Sequence, residues 1–486
     1  MGIKLVYPSQ RLARFTAATV AVVLLLFLGA HTWVQPVDFH YGSPIQATTS
    51  RHRPPQETSA AANDMFDFPP IESEAIRSVC DETEWDAGTG IEVIFTCDNS
   101  IGGVGNVRNS VLNCVRYAML AGGSLVMPSI VARDDSDISG IRTGERRDMA
   151  YLFDVGHFVE SLRLSCPQLR LYNSTNDATK AIGLPTTFTM GFFPELLDEI
   201  KMTKSSGIAL LTHPERWKKK LYEWLGEADT SMGPTGRQTK GPFVLELGRS
   251  YLSFPVSFDP DDFVASFGNI LKFRADTRQL ATTTLRRMAE RFNFESTLRK
   301  GVAAAGTSLP SAENPGVLEN AYFGAHLRVE KDAMFYWDPN GDYWGWTKYD
   351  KQTAAYTEQA TKANLSLIYV ASGETEHVER FRNESATRGI TVINKQDVLG
   401  KDVEKLDRLK WDQQALVDFL VMLRASQFGG MSHSSFAWNV ALKRHLHVKD
   451  AANKSHLDGP QMLSDELSQV YGKPKEFAEY ASCMWP

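Results

Sequence analysis

The sequence is short of basic charge. Its 52 lysines and arginines are outnumbered by 58 aspartates and glutamates, for a formal net charge of −6. A chain built to hold a phosphate backbone is usually basic, so no nucleic-acid partner is expected. Glycine and proline are also sparse, 35 and 22 in 486 residues, which excludes a collagen-like or low-complexity fibre. No C-x-x-C pair occurs, so a zinc or thioredoxin-type site has no support. No Gly-Lys-Ser/Thr follows a glycine-rich turn, which excludes a P-loop. No repeat of about 20–50 residues is evident, against a solenoid or propeller. A mean hydropathy of −0.27 excludes a polytopic membrane protein, though not a single span.

What is present is ordinary globular composition, 43% hydrophobic with 10 Trp, enough at about 150 residues per domain for two or three domains. One uncharged run stands out, the 20 residues Phe15–Val34. It is long enough to cross roughly 30 Å of hydrocarbon, and longer than the apolar core of a cleaved signal peptide. Lys4, Arg11 and Arg14 precede it and no acid occurs before Asp38. The positive-inside rule then makes 1–14 a cytosolic tail, 15–34 a type II anchor, and everything after it lumenal. Residues 35–85, with Pro36, Pro44, Pro54, Pro55, Pro69 and Pro70 among small polar residues, read as an extended stem. In an oxidising compartment the five cysteines (Cys80, Cys97, Cys114, Cys166, Cys483) allow up to two disulfides and one spare thiol, with the pairing open. Sequons start at Asn173, Asn364, Asn383 and Asn453, and they matter only if the body is lumenal.

The body opens with a β-rich run, Ile91–Thr96, then Gly102, Gly103 and Gly105. A helical stripe of Val107, Val111, Val115 and Ala118 follows, stopped by Gly122 and Gly123 before a strand at Ser124–Met127. Strand, glycine turn, helix, strand is the opening of a parallel α/β sheet. The region 130–300 is less periodic, apart from an amphipathic helix over 273–292. Residues 301–320, rich in Gly, Ala, Ser and Pro, read as a linker. The second half alternates strands (Tyr322–Val329, Leu367–Ala371, Thr391–Asn394) with helices near 350–364, 374–387, 413–424 and 435–443. The expected fold is α/β, with two Rossmann-like doubly wound domains, 86–305 and 306–486, facing a cleft.

Three short blocks carry candidate chemistry. Gly102-Gly103-Val104-Gly105-Asn106 would bring backbone N–H groups and a helix N-terminus to an anion or sugar. It is not a dinucleotide fingerprint, because Arg108 occupies the third glycine position. Its bland reading is a tight strand-to-helix turn. In His326-Leu327-Arg328, residues two apart on a strand share a face, and an Arg at a strand end can hold a diphosphate with two donors. The bland reading is a surface pair. Ser434-Ser435-Phe436 sits where a helix N-cap would, next to phosphate oxygens if any are bound. A nucleophile elbow fails at its last position, Ser434, which disfavours a serine hydrolase. The pairs Asp135–Asp137 and Asp259–Asp261 have the D-x-D spacing of divalent-ion sites, but such pairs are common by chance.

In this order the blocks resemble the GDP-fucose protein O-fucosyltransferase superfamily. The turn Gly102–Asn106, the strand motif His326–Arg328, and Asp418 with Ser434-Ser435-Phe436 sixteen residues later carry the likeness. The runs at 125–128 and 152–162 resemble the first domain of plant and fungal members. The resemblance implies a glycosyltransferase-B type architecture, an acceptor-side domain over 86–305 and a nucleotide-sugar domain over 306–486. It implies an inverting transfer of fucose from GDP-fucose to a protein or glycan hydroxyl, without a metal or other cofactor, in the Golgi or endoplasmic reticulum. Arg328 would stabilise the departing GDP, His326 contact ribose or phosphate, and Asp418 accept from the guanine edge. Ser434, Ser435 and Phe436 would line the donor pocket with Gly103 and Gly105, while Asn106 would face fucose and acceptor. The turn lacks the Glu that serves one branch as a base. A catalytically inactive, sugar-nucleotide- or glycan-binding lumenal protein is the alternative.

Overall fold

A run of fully buried, β-branched and aromatic residues such as Val93–Thr96 satisfies its backbone only by pairing on both edges. That requirement builds two parallel sheets. The computed structural model describes residues 64–85, 91–97, 99–134, 138, 140–183, 188–197, 201–202, 209–231, 242–248, 250–305, 316–331, 333, 345–448, 464–472 and 478–486. The anchor at 15–34, the first part of the stem, Asp135–Asp137, Asn453 and the middle of the 301–320 linker lie outside them. Among the described residues no helix is long and apolar enough to cross a membrane.

The first sheet contains β1 (Val93–Thr96), β2 (Ser124–Val126), β3 (Leu171–Tyr172), β4 (Phe188–Phe192) and β5 (Phe243–Leu247), in the order β3-β2-β1-β5-β4. The second contains β6 (Phe323–His326), β7 (Leu367–Ala371), β8 (Thr391–Ile393), β9 (Gln427–Met431) and β10 (Ser468–Tyr471), in the order β8-β7-β6-β9-β10. Every neighbouring pair in both sheets is parallel. Both are Rossmann-like, and each reverses its strand order beside its first strand, where open α/β sheets bind ligands.

Several stretches depart from expectation. The stem does not extend to residue 85. Helix α1 (Glu74–Glu82) is capped by the Ser73 hydroxyl, buries Ile76 and Cys80, and is tied to the body by a Cys80–Cys166 disulfide. A second disulfide joins Cys97 to Cys114, and Cys483 is a buried free thiol. The linker reading at 301–320 meets a helix, Glu295–Ala305, at its start. Strand β9 carries two glycines, Gly429 and Gly430. A Cβ on Gly429 would lie 2.7 Å from the Phe323 ring and 2.8 Å from the Tyr356 ring, so those rings need glycine there.

Helix α2 (Val104–Ala121) follows the glycine turn and ends on Gly122 in the left-handed region at φ 69°. Helix α3 (Ala275–Phe292), amphipathic as expected, packs on α5 (Trp411–Leu423) of the second half. Helices α4 (Tyr349–Lys362) and α6 (Ser435–His445) flank β6 and β9, and α6 packs on α2. Finally α7 (Ala478–Cys483) and its extension return to the first half. Arg108 donates to the carbonyls of Trp485 (2.5 Å) and Pro486 (2.7 Å). The Trp485 amide donates to Asn109 Oδ1 at 2.9 Å, and its indole N–H to Asn113 Oδ1 at 2.7 Å.

Candidate active site

The site forms where two helix N-termini meet the strand-order reversal of the second sheet. Gly102 sits at φ 105°, a conformation that side chains disfavour, and Gly103 is the N-cap of α2. Ser434 caps α6 with its hydroxyl, accepting from Ala437 N–H at 3.4 Å. The two ends touch. A Cβ on Gly105 would lie 2.6 Å from the Ser435 carbonyl carbon and oxygen, so only glycine permits the approach. Asn439 of α6 accepts from Arg108 Nη1 at 2.9 Å and donates to the Gly105 carbonyl at 3.4 Å. Two sets of unpaired backbone N–H groups, each at the positive end of a helix dipole, therefore converge on one region.

His326 ends β6 and is almost fully buried, with its ring 4.6 Å from that of Phe436. Burial pushes its pKa down to about 4, so it is neutral at ordinary pH. Its Nδ1 and the Oδ1 of Asn106 are buried polar atoms with no partner in the protein. Groups of that kind are costly unless something else bonds them. His433, one residue before the cap, is pushed down to about 3 by burial, then by Arg328 and His326. Those electrostatic effects put His326, Arg328 and His433 in one cluster.

Arg328 is held on both backbone sides by one amide. Gln352 of α4 accepts from Arg328 N–H at 2.9 Å and donates to Arg328 C=O at 2.9 Å. Tyr356 donates to the His326 carbonyl at 2.7 Å. The Arg328 guanidinium donates to Glu330, whose other oxygen accepts from Gly373 N–H at 2.8 Å. Gln352, Tyr356 and Glu330 were not read as site residues. The expected strand to Val329 ends at His326, so Arg328 and Glu330 lie just past it, and strand alternation gave no signal for Glu330.

Asp418 is engaged within the protein. Its carboxylate accepts from Tyr369 hydroxyl at 2.6 Å and pairs with Lys395 at 2.5 Å, all buried. Each oxygen already accepts from a buried partner in the protein, which gives Asp418 a structural role whatever it does toward a nucleotide. The D-x-D reading of Asp259–Asp261 fails, because Asp259 forms a buried two-point pair with Arg116 at 2.6 and 2.8 Å. Among the described residues no group of three or more His, Cys, Asp or Glu is placed to hold a metal.

Two parallel sheets of this topology, with two helix N-termini meeting beside a buried H-x-R block, form a Rossmann-like α/β body with a candidate ligand site at the strand-order reversal. Residues 93–447 match the family model described as GDP-fucose protein O-fucosyltransferase. The chain belongs to that family and is a fucosyltransferase by class. Among solved structures it is similar to POFUT1 in complex with GDP, at 13% identity over 80% of this chain and 100% of that one, TM-score 0.39. For POFUT1 in complex with GDP-fucose the figures are 12%, 79%, 98% and 0.40. For an Arabidopsis thaliana FUT1 mutant in complex with GDP they are 11%, 76%, 71% and 0.36. No curated protein matches the chain by sequence.

Proposed function

We propose that the protein transfers fucose from GDP-fucose to a hydroxyl of a protein or glycan acceptor, with inversion, in the lumen of the secretory pathway. The observation that carries the reading is the buried His326–Arg328 strand end beside Phe436 and the converging N-termini of α2 and α6, in a chain of this family. The diphosphate would lie against the Ser434 and Ser435 end of α6, with Arg328 above it. The acceptor hydroxyl would attack the anomeric carbon from the side of Gly103, Gly105 and Asn106. As the bond to phosphate breaks, negative charge grows on the departing GDP. A guanidinium already fixed by its backbone and side-chain contacts meets that charge without reorganising. Neutral His326 would bond ribose or a phosphate oxygen through the nitrogen that the protein leaves unfilled.

In this reading the two sheets face a cleft in the glycosyltransferase-B manner, with 86–305 on the acceptor side and 306–486 on the donor side. No metal or other cofactor is invoked. The two disulfides support an oxidising compartment. With the uncharged run at 15–34 they favour a type II protein of the Golgi or endoplasmic reticulum membrane. The test is calorimetric titration of the purified protein with GDP, UDP and CMP, followed by GDP-fucose turnover. GDP binding with turnover supports transfer. GDP binding without turnover toward any protein or glycan acceptor would favour the inactive binder. Indifference to all three nucleotides would refute both.

A further inference from the structure

Glu330 is a buried carboxylate bonded to Arg328, and its two oxygens do different jobs. One accepts from the Arg328 guanidinium. The other accepts the backbone N–H of Gly373, in the turn that leaves β7 at the same end of the sheet as His326. The fit at that turn is close. A Cβ on Gly373 would lie 3.1 Å from Glu330 Oε1 and 3.2 Å from Trp411 Nε1. Gln352 clamps the Arg328 backbone and Glu330 holds its guanidinium, so the residue is tied at both its root and its head.

We propose that Glu330 is a positioning residue: it sets the plane of the Arg328 guanidinium and couples it to the Ser372–Glu374 turn beside the nucleotide site. The proposal rests on the fucosyl-transfer reading above. Its chemistry is specific to a carboxylate, which accepts on both sides. A glutamine of the same shape has one oxygen and one NH2 group. Whichever way the amide turns, a donor meets either Arg328 or the Gly373 N–H, and one bond is lost. A guanidinium that loses this carboxylate bond is oriented less tightly, and misplacement of about an ångström can cost about 10²-fold in rate.

The experiment is a double-mutant cycle on the full chain with Glu330→Gln and Arg328→Lys, reading kcat, donor KM and the GDP dissociation constant. The single Glu330→Gln should lower kcat roughly 10–100-fold with a smaller change in GDP affinity. In the Arg328→Lys background the same substitution should lower kcat less than about threefold, because there is no fork left to orient. Glu330→Asp keeps the charge but shortens the reach, and should recover part of kcat. Melting temperatures accompany each variant, since a merely structural role would lower stability and give the same fold loss in both backgrounds. Equal losses in both backgrounds, or Glu330→Gln within threefold of wild type, would overturn the proposal while leaving fucosyl transfer intact. A wild-type protein that neither binds GDP nor turns over GDP-fucose would overturn the transfer reading, and this proposal with it.

Discussion

Gly105→Ala tests whether the contact between the two halves sets the site. Gly105 lies in the first turn of α2 at a backbone conformation open to alanine, so helix propensity alone favours the change by about 1 kcal/mol. The added methyl would stand 2.6 Å from the Ser435 carbonyl carbon and oxygen and 2.8 Å from its hydroxyl. A tolerable carbon-to-oxygen contact is about 3.3 Å, so the two helix ends must part by roughly 0.7 Å. The obstacle is backbone, which cannot rotate away. Overpacking of this kind costs about 1–3 kcal/mol, so net stability should fall by at most about 2 kcal/mol. If the parted surfaces carry donor and acceptor as proposed, the rate should suffer more. A loss near 10²-fold is expected. Gly191→Ala, with nothing within 4 Å of the added carbon, is the control. The assay is GDP-fucose turnover with a melting curve for each variant. Turnover of Gly105→Ala within threefold of wild type would falsify the claim that this contact positions the site.

Arg328→Lys keeps the charge but removes the two-pronged donor. It should lower kcat by on the order of 10²–10³ while GDP binding changes far less, read by turnover and calorimetry. Asp418→Ala leaves Lys395 buried without its carboxylate, and should cost about 3–5 kcal/mol in chemical denaturation. Calorimetry with GDP and UDP completes the test: an equal change for both nucleotides fits a structural pair, and a selective loss of GDP affinity supports guanine recognition by Asp418. His326 is depressed from its ordinary 6.5 to about 4, so the unfolded chain binds the extra proton between those values. Stability should therefore fall as pH drops from 6.5 toward 4, by up to about 3 kcal/mol from this group. His326→Gln should flatten that part of the stability curve, and an unchanged slope would contradict the assignment. If the body is lumenal, Asn173 and Asn364, exposed outside helices, should carry glycans. Asn383 should not, because it lies within a helix and its Ser385 is 2% exposed. Peptide mass spectrometry before and after deglycosylation decides it.

Local signals were readable where they decided the structure. Val107, Val111 and Val115 announced α2, Gly122 its end, and the runs at 367–371 and 391–394 their strands. The H-x-R block was visible as a local motif at the end of a predicted strand, although the strand stops at His326 and Arg328 lies just beyond it. What stayed hidden depended on distant partners. Gly429 in β9 is explained by Phe323 and Tyr356, over 70 residues away in sequence, which need the space. The buried partners of Asp418, Lys395 and Tyr369, lie 23 and 49 residues away and could not be read locally. Residues 64–85 look like stem because their order comes from a disulfide to Cys166 and from the Ser161 and Ser165 hydroxyls, none of which is nearby in sequence.

The return of residues 478–486 to α2 has a consequence for biosynthesis. Arg108 waits for a carbonyl that emerges 377 positions later. At about 5–20 residues per second, that is a delay of roughly 20–75 s. During it Arg108, Asn109 and Asn113 face an unfilled slot in the first half, exposed to chaperones and to the wrong partners. The first half can collapse early but cannot finish until the second has been threaded out and folded back. Maturation should therefore be late and all-or-none, and the two halves should not be separable into independently folding pieces.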